Sequence, residues 1–187
     1  MAEELVKKLL KCYLICDTST LSNLENLGKL LSTYLPKSGI KLGVTEDAEK
    51  EIKLKGIKSL IERGFVSIVR PKNKAHHITE IRRIQRILGT RKNLGEISSY
   101  VFIKSHRDAI LVSDDMVILE LQKRFGAISA FGSLLFLYLF YKMNLFNNIK
   151  LKNSYKILNS KFGNRVLSFN LSSLAELDKE FVKGLLT

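Results

Sequence analysis

The chain has 187 residues, with 31 lysines and arginines against 18 acidic residues and a formal charge of +13 at neutral pH. An apolar fraction of 45% excludes wholesale disorder, and the length suits one compact domain or a domain with one appendage. The positive excess favours a polyanionic partner, nucleic acid ahead of a membrane surface.

Residues 3–11 read as a helical lead-in, after an acidic start, Met1-Ala2-Glu3-Glu4, that has no secretory pattern. Cys12-Tyr13-Leu14-Ile15-Cys16 reads as the first strand and ends at Asp17. Its two cysteines, the only ones present, would stand about 13 Å apart on a strand, beyond disulfide reach. Reduced core packing and a cytoplasmic location are expected.

Apolar residues at 21, 24, 27, 30, 31 and 35 form a helical stripe that stops before Pro36. "GIKLGV" is a short strand, Thr45 an N-cap, and a helix is expected over roughly 46–63, closed by Gly64. "FVSIV" (65–69) is the next strand, followed by the basic segment 70–92. There Arg70, Lys72, Lys74, Arg82, Arg83, Arg86, Arg91 and Lys92 face a single acid, Glu80. Within it Ile78, Ile81, Ile84, Ile87 and Leu88 share one helical face, with the arginines largely on the other. Expected next are a helix over 94–104, a strand over 109–112 and a helix from Asp115 to Phe125. The tail offers helices near 132–143 and 150–161, a strand "RVLSF" and a last helix over 172–185.

Alternating strands and helices imply parallel pairing with helices on both faces. Residues 125–141 carry no charge but are interrupted by glycine and serine, so a membrane span of about 20 apolar residues is a poor fit. Near 132–143 the apolar residues surround the helix too fully for one buried face, and a homodimer contact is expected there.

Sites in open parallel sheets form outside the carboxyl ends of the strands. Asp17 ends the first strand, and Asp114 and Asp115 follow the 109–112 strand. Glu51 and Glu96 come from helices, Glu96 in an otherwise neutral, apolar one. No His or Cys joins this set. Oxygen-only ligands select Mg²⁺ or Mn²⁺ over zinc. Such ions suit phosphodiester hydrolysis, neutralising the phosphate and activating a water.

These residues resemble the PIN-domain family, in its toxin-like ribonuclease subgroup. "YLICDTSTLSNL" resembles the opening strand, with Asp17 as first acid and Thr18-Ser19 as the hydroxyl pair. "GVTEDAEKEI" resembles the second segment and puts Glu51 at the second acid, with Glu46, Asp47 and Glu49 as less favoured neighbours. "LGEISSYVFIK" is similar to the third segment, centred on Glu96, and "AILVSDDMVILELQKRFG" to the last motif. "SAFGSLLFLYLFYKMNLF" resembles the glycine-containing stretch and helix that follow in one archaeal and bacterial subgroup. The resemblance runs over about residues 11–185, and its strength lies in order and spacing.

The resemblance implies a three-layer α/β/α fold with a mainly parallel sheet. One domain would fill residues 1–187, with a core over 11–126 and a helical and strand extension over 127–187. It implies a metal-dependent endoribonuclease, the toxin of a toxin–antitoxin pair, with an antitoxin as partner. Asp17, Glu51, Glu96, Asp114 and Asp115 would hold the metal, with Thr18 and Ser113 orienting water or phosphate. The basic segment would neutralise the RNA backbone, DNA being the other candidate substrate.

This chain departs from the subgroup where basic residues often follow the aspartate pair: here stand Met116 and Leu119-Glu120. A non-catalytic nucleic-acid-binding or interaction protein is therefore the rival reading. His76-His77 is expected to be a pair of solvated loop histidines, not a metal site. No glycine-rich phosphate loop occurs.

Overall fold

The computed structural model describes residues 2–106 and 108–186. Helix α1 (Ala2–Lys11) leads into strand β1 (Tyr13–Cys16), with Cys12 just outside the strand. Helices α2 (Thr18–Asn26) and α3 (Leu30–Ser38) precede β2 (Lys41–Thr45), and α4 (Glu46–Glu51) and α5 (Lys55–Glu62) precede β3 (Val66–Val69). Helices α6 (Lys74–Leu88) and α7 (Leu94–Ser105) then lead to β4 (Ala109–Val112), α8 (Val117–Phe125) and β5 (Ala130–Phe131). The chain continues as α9 (Leu134–Lys142), α10 (Asn148–Lys161), α11 (Asn164–Leu177) and α12 (Lys179–Leu186).

All strand pairs are parallel, in the order β3-β2-β1-β4-β5. Side chains alternate across the sheet, as the period of two requires. Leu14, Cys16, Leu42, Val44, Ile110 and Val112 join one apolar cluster with α2, α3, α5 and the C-terminal helices. Ile15, Ala109 and Leu111 join another with α6, α7 and α8. The protein is therefore a three-layer α/β/α structure. Strand order reverses at β1, because β2 and β3 lie on one side of it and β4 and β5 on the other. The gap between the ends of β1 and β4 is the place where such sheets bind ligands.

Several elements differ from the sequence expectation. The stripe over 21–35 is two helices, broken where Gly28 and Lys29 take left-handed φ values of 69° and 58°. The buried Glu25 carboxylate holds the break, accepting the Ser32 N–H at 3.0 Å and the Ser32 hydroxyl. Pro36 lies inside α3 rather than beyond it. One backbone bond is lost there, and Ser38 Oγ closes the end by donating to Leu35 O at 2.8 Å.

The helix expected over 46–63 breaks at Ile52 and Leu54, both extended. Helix α4 packs on α7 while α5 packs on α2 and α3, and one straight helix could not reach both. "RVLSF" is the start of α11, not a strand. Leu167, Leu171, Leu174 and Ala175 recur at helical spacing and pack in the core. His77 is not a solvated loop residue: it sits in α6, buried, with Nε2 3.1 Å from Ser98 Oγ, while His76 is exposed.

Every residue of α9 from Leu134 to Phe140 has zero exposure, covered by α1, α10 and α11. The fully apolar helix is thus wrapped by the chain's own elements, and the expected homodimer contact has no open surface there. Among the described residues no helix is long and apolar enough to cross a membrane.

Candidate active site

Asp17 ends β1 and is completely buried. As the N-cap of α2 it accepts the Thr20 N–H at 2.7 Å on Oδ1, where Ser19 Oγ also donates at 3.0 Å. Its Oδ2 accepts the Ser113 hydroxyl. Ser113 lies opposite because Cys16 pairs with Val112 in the β1–β4 register. The same Ser113 Oγ accepts the Asp115 N–H at 3.1 Å. One hydroxyl thereby orders two acids.

Asp115 is half-buried at the entrance to α8, with Oδ1 accepting the Val117 N–H at 2.8 Å. Glu96 is buried in the first turn of α7, and Glu51 is exposed at the end of α4. Gly95 permits their approach. A methyl group there would stand 3.2 Å from Glu51 Oε2 and 3.4 Å from the Ala48 backbone, so α4 lies directly over the start of α7. Thr18 Oγ1 donates to Ala48 O at 2.9 Å and ties α2 to α4. Its hydrogen is committed to this strut.

Burial pushes the Asp17 carboxyl up to about 6, against the pull of hydrogen bonds from Ser113 and Thr20 and with a further push from Asp114. Glu96 is pushed up to about 7, first by burial and then by the charges of Asp17, Asp115 and Glu51, while its own backbone N–H lowers it. These acids feel one another. Among the described residues none of Asp17, Glu51, Glu96, Asp114 and Asp115 makes an ion pair. The basic side chains that do pair meet Asp47, Glu46, Glu80, Glu120 and Asp178 instead.

Asp114 is built differently from its neighbour. Its Oδ1 accepts the Ser133 N–H at 2.8 Å and Asn170 Nδ2 at 3.2 Å, and its Oδ2 accepts Asn23 Nδ2 at 3.3 Å. Its own N–H donates to Thr20 Oγ1 at 3.0 Å. Four neutral partners clamp it between α2, the β5–α9 connection and α11. Gly132 leaves room for this clamp, since a Cβ there would collide with the Asn170 side-chain amide. Sequence reasoning did not single out Asn23, Ser133 or Asn170. The available signal was an asparagine inside the apolar run Val166–Leu171.

The predicted basic residues scatter. Arg70 and Lys74 pair with Glu46 at 2.8 and 3.5 Å, at the β2 and β3 ends of the sheet. Arg83 pairs with Glu80 at 2.9 Å and lies over the Phe125 ring, at the far end of α8 from Asp115. Lys72, Arg82, Arg86, Arg91 and Lys92 are exposed. Beside Asp115 itself runs a groove of about 680 Å³ between α8 and α11, flanked by Lys123 and Arg165.

Asp17, Glu51, Glu96 and Asp115 offer oxygen atoms only, the donor set of a hard divalent cation. Their mutual repulsion without a basic partner fits such an ion. Among the described residues no three His, Cys, Asp or Glu side chains are placed to hold a metal ion together. No family model, no curated protein and no solved structure matches the chain.

Proposed function

We propose that this protein is a metal-dependent endoribonuclease of the PIN-like kind, with its centre at the β1–β4 switch point. One observation carries the reading: in a chain of net charge +13, the acids at that edge have no basic partner among the described residues. Asp17, Glu96 and Asp115 would hold Mg²⁺ or Mn²⁺, with Glu51 joining from the rim. The bound ion would neutralise phosphate charge and favour ionisation of an attacking water. Ser113 fixes the Asp17 carboxylate and the Asp115 backbone from one hydroxyl, and the Val117 N–H holds the Asp115 carboxylate. Thr18 holds α4, and with it Glu51, over the opening. Asp114 fixes α11 and the β5–α9 turn around the site and is a positioning residue in this scheme. The toxin role, with an antitoxin as partner, follows from the sequence resemblance alone.

The test is cleavage of end-labelled single-stranded and hairpin RNAs with Mg²⁺, Mn²⁺ or EDTA, beside Asp17→Asn. Metal-dependent products from the wild type and none from the variant are expected. Identical products from both would assign the cleavage to a contaminant and remove the reading. A non-catalytic, nucleic-acid-binding role is the second reading, favoured by Met116 and Leu119-Glu120 standing where the resembled subgroup often carries basic residues; it predicts RNA binding with no cleavage under any metal.

A further inference from the structure

We infer that the groove between α8 and α11 is the binding track for a single-stranded polynucleotide, RNA first, leading away from the acidic cluster. The inference rests on the nuclease reading for its direction, and on the groove's own chemistry for its occupant. Met116, Leu119 and Lys123 recur at helical spacing along α8, and Arg165, Ser168 and Phe169 do so along α11. The two stripes face each other across about 680 Å³, with Asp115 at one end. From Met116 to Lys123 the groove runs about 10 Å at a helical rise of 1.5 Å per residue.

The floor is apolar and the flank cationic. Phe169 is half-buried and offers a ring on which a base can stack. Lys123 and Arg165 are exposed, and among the described residues neither pairs with a carboxylate. Glu120, the other acid of the groove, is occupied by Arg124 at 2.8 Å. Free cations beside an aromatic ring, continuous with a cluster of unpaired acids, complement a strand of phosphates and bases. On α6, by contrast, Arg83 already pairs with Glu80 and its guanidinium covers the neighbouring Phe125 ring.

Fluorescence anisotropy of a labelled single-stranded oligoribonucleotide in EDTA separates binding from chemistry. Lys123→Ala with Arg165→Ala should weaken binding and flatten the slope of log K against log salt by about 1.4. Phe169→Ala should weaken it about tenfold and Phe169→Tyr should restore it. Both cations are exposed, so their removal leaves the fold intact, as circular dichroism will show. Arg82, Arg83 and Arg86 replaced together by Ala should leave affinity unchanged. Equal binding of DNA of the same sequence keeps the track and widens its occupant to either polynucleotide. Unchanged affinity and slope in the Lys123/Arg165 variant overturns the inference, as does wild-type protein that binds no oligonucleotide. A photo-crosslinker at Ser168 that captures polypeptide but no oligonucleotide overturns it too. Loss of the nuclease reading looks different: oligonucleotide still binds through Phe169 and Arg165, but Asp17→Asn changes no cleavage.

Discussion

Glu46 and Asp17 follow the ends of β2 and β1, neighbouring strands about 4.8 Å apart, yet the fold treats them in opposite ways. Glu46 is exposed enough to meet water and has Arg70 and Lys74 within 3.5 Å, which hold its carboxyl below the usual range. Asp17 is wholly buried, has only neutral donors, and is pushed up to about 6. The chain has cations to spare, so the difference is one of placement. Glu46 is balanced by the chain's own cations, whereas Asp17, like Glu25 at the α2–α3 break, is held by neutral donors alone. On the proposed function, a bound cation would supply the balance at the β1–β4 gap.

The largest effect should come from removing charge at that gap. Asp17→Asn, Glu96→Gln and Asp115→Asn should each abolish metal-dependent cleavage, while Glu46→Gln should leave it intact. Without metal the three variants should melt no lower than wild type. Asparagine caps a helix about as well as aspartate, and each substitution relieves repulsion. If Glu46→Gln also abolishes cleavage, the contrast between the two strand ends carries no functional meaning.

Asp114 and Asp115 sharpen the comparison because they are adjacent and differently held. Asp114→Ala strands the Ser133 N–H and takes an acceptor from Asn23 and from Asn170, which keeps only its bonds to Val166 O and the Leu134 N–H. A destabilisation of about 3 kcal/mol is expected in chemical denaturation. Gly132→Ala should act in the same direction, because its methyl would displace Asn170. Asp115→Ala removes one bond to Val117 and should cost about 1 kcal/mol. Equal losses at the two aspartates would contradict the clamp assigned to Asp114.

Stability against pH should show the same asymmetry on a smaller scale. A carboxyl whose folded pKa is raised binds its proton more tightly in the native state. Stability is then highest below the unfolded value and falls as pH rises toward the folded one. For Asp17 the fall runs from about 4 to about 6, and for Glu96 from about 4.5 to about 7. Other acids, such as Glu46 and Glu80, are shifted down and slope the opposite way. The difference between wild type and Asp17→Asn isolates the effect. Wild type in EDTA should lose on the order of 2 kcal/mol relative to that variant between pH 4 and 7, and Mg²⁺ at pH 8 should restore it. A flat difference curve would show that Asp17 is not held in the state described.

The sheet was readable because short β-branched runs alternate with helical stripes and parallel pairing follows from that alternation. The strand-end rule then put Asp17, Asp114 and Asp115 on one edge. What escaped was decided by tertiary contacts. The break at Leu27–Lys29 depends on Glu25 reaching Ser32, and the break at Ile52–Leu54 on α4 and α5 having different partners. A short segment such as "RVLSF", with three apolar residues in five, suits strand or helix equally, and only the core positions of α11 choose. The separation of Asp114 from Asp115 was invisible because its donors come from residues 23, 133 and 170. Charge density along the chain pointed to 70–92, but the fold pairs Arg70, Lys74 and Arg83 internally.

That last point yields the smallest expected effect. Arg70 and Lys74 are exposed partners of Glu46, and surface pairs of this kind contribute little because water and salt already screen them. Replacing both with Ala should leave the melting temperature within experimental error of wild type. It should raise the Glu46 carboxyl back toward the ordinary glutamate range, since the side-chain hydrogen bond from Arg70 is the first cause of its lowering. An NMR titration of the Glu46 carboxyl carbon would read that change directly. The Asp17 carboxyl should keep its raised value in the same spectra, because burial and then Asp114 raise it, against Ser113 and Thr20, and neither Arg70 nor Lys74 is among the causes. A Asp17 titration that moves with Arg70 and Lys74 would mean that the two strand ends share one electrostatic environment, and the division between balanced and unbalanced acids would fail.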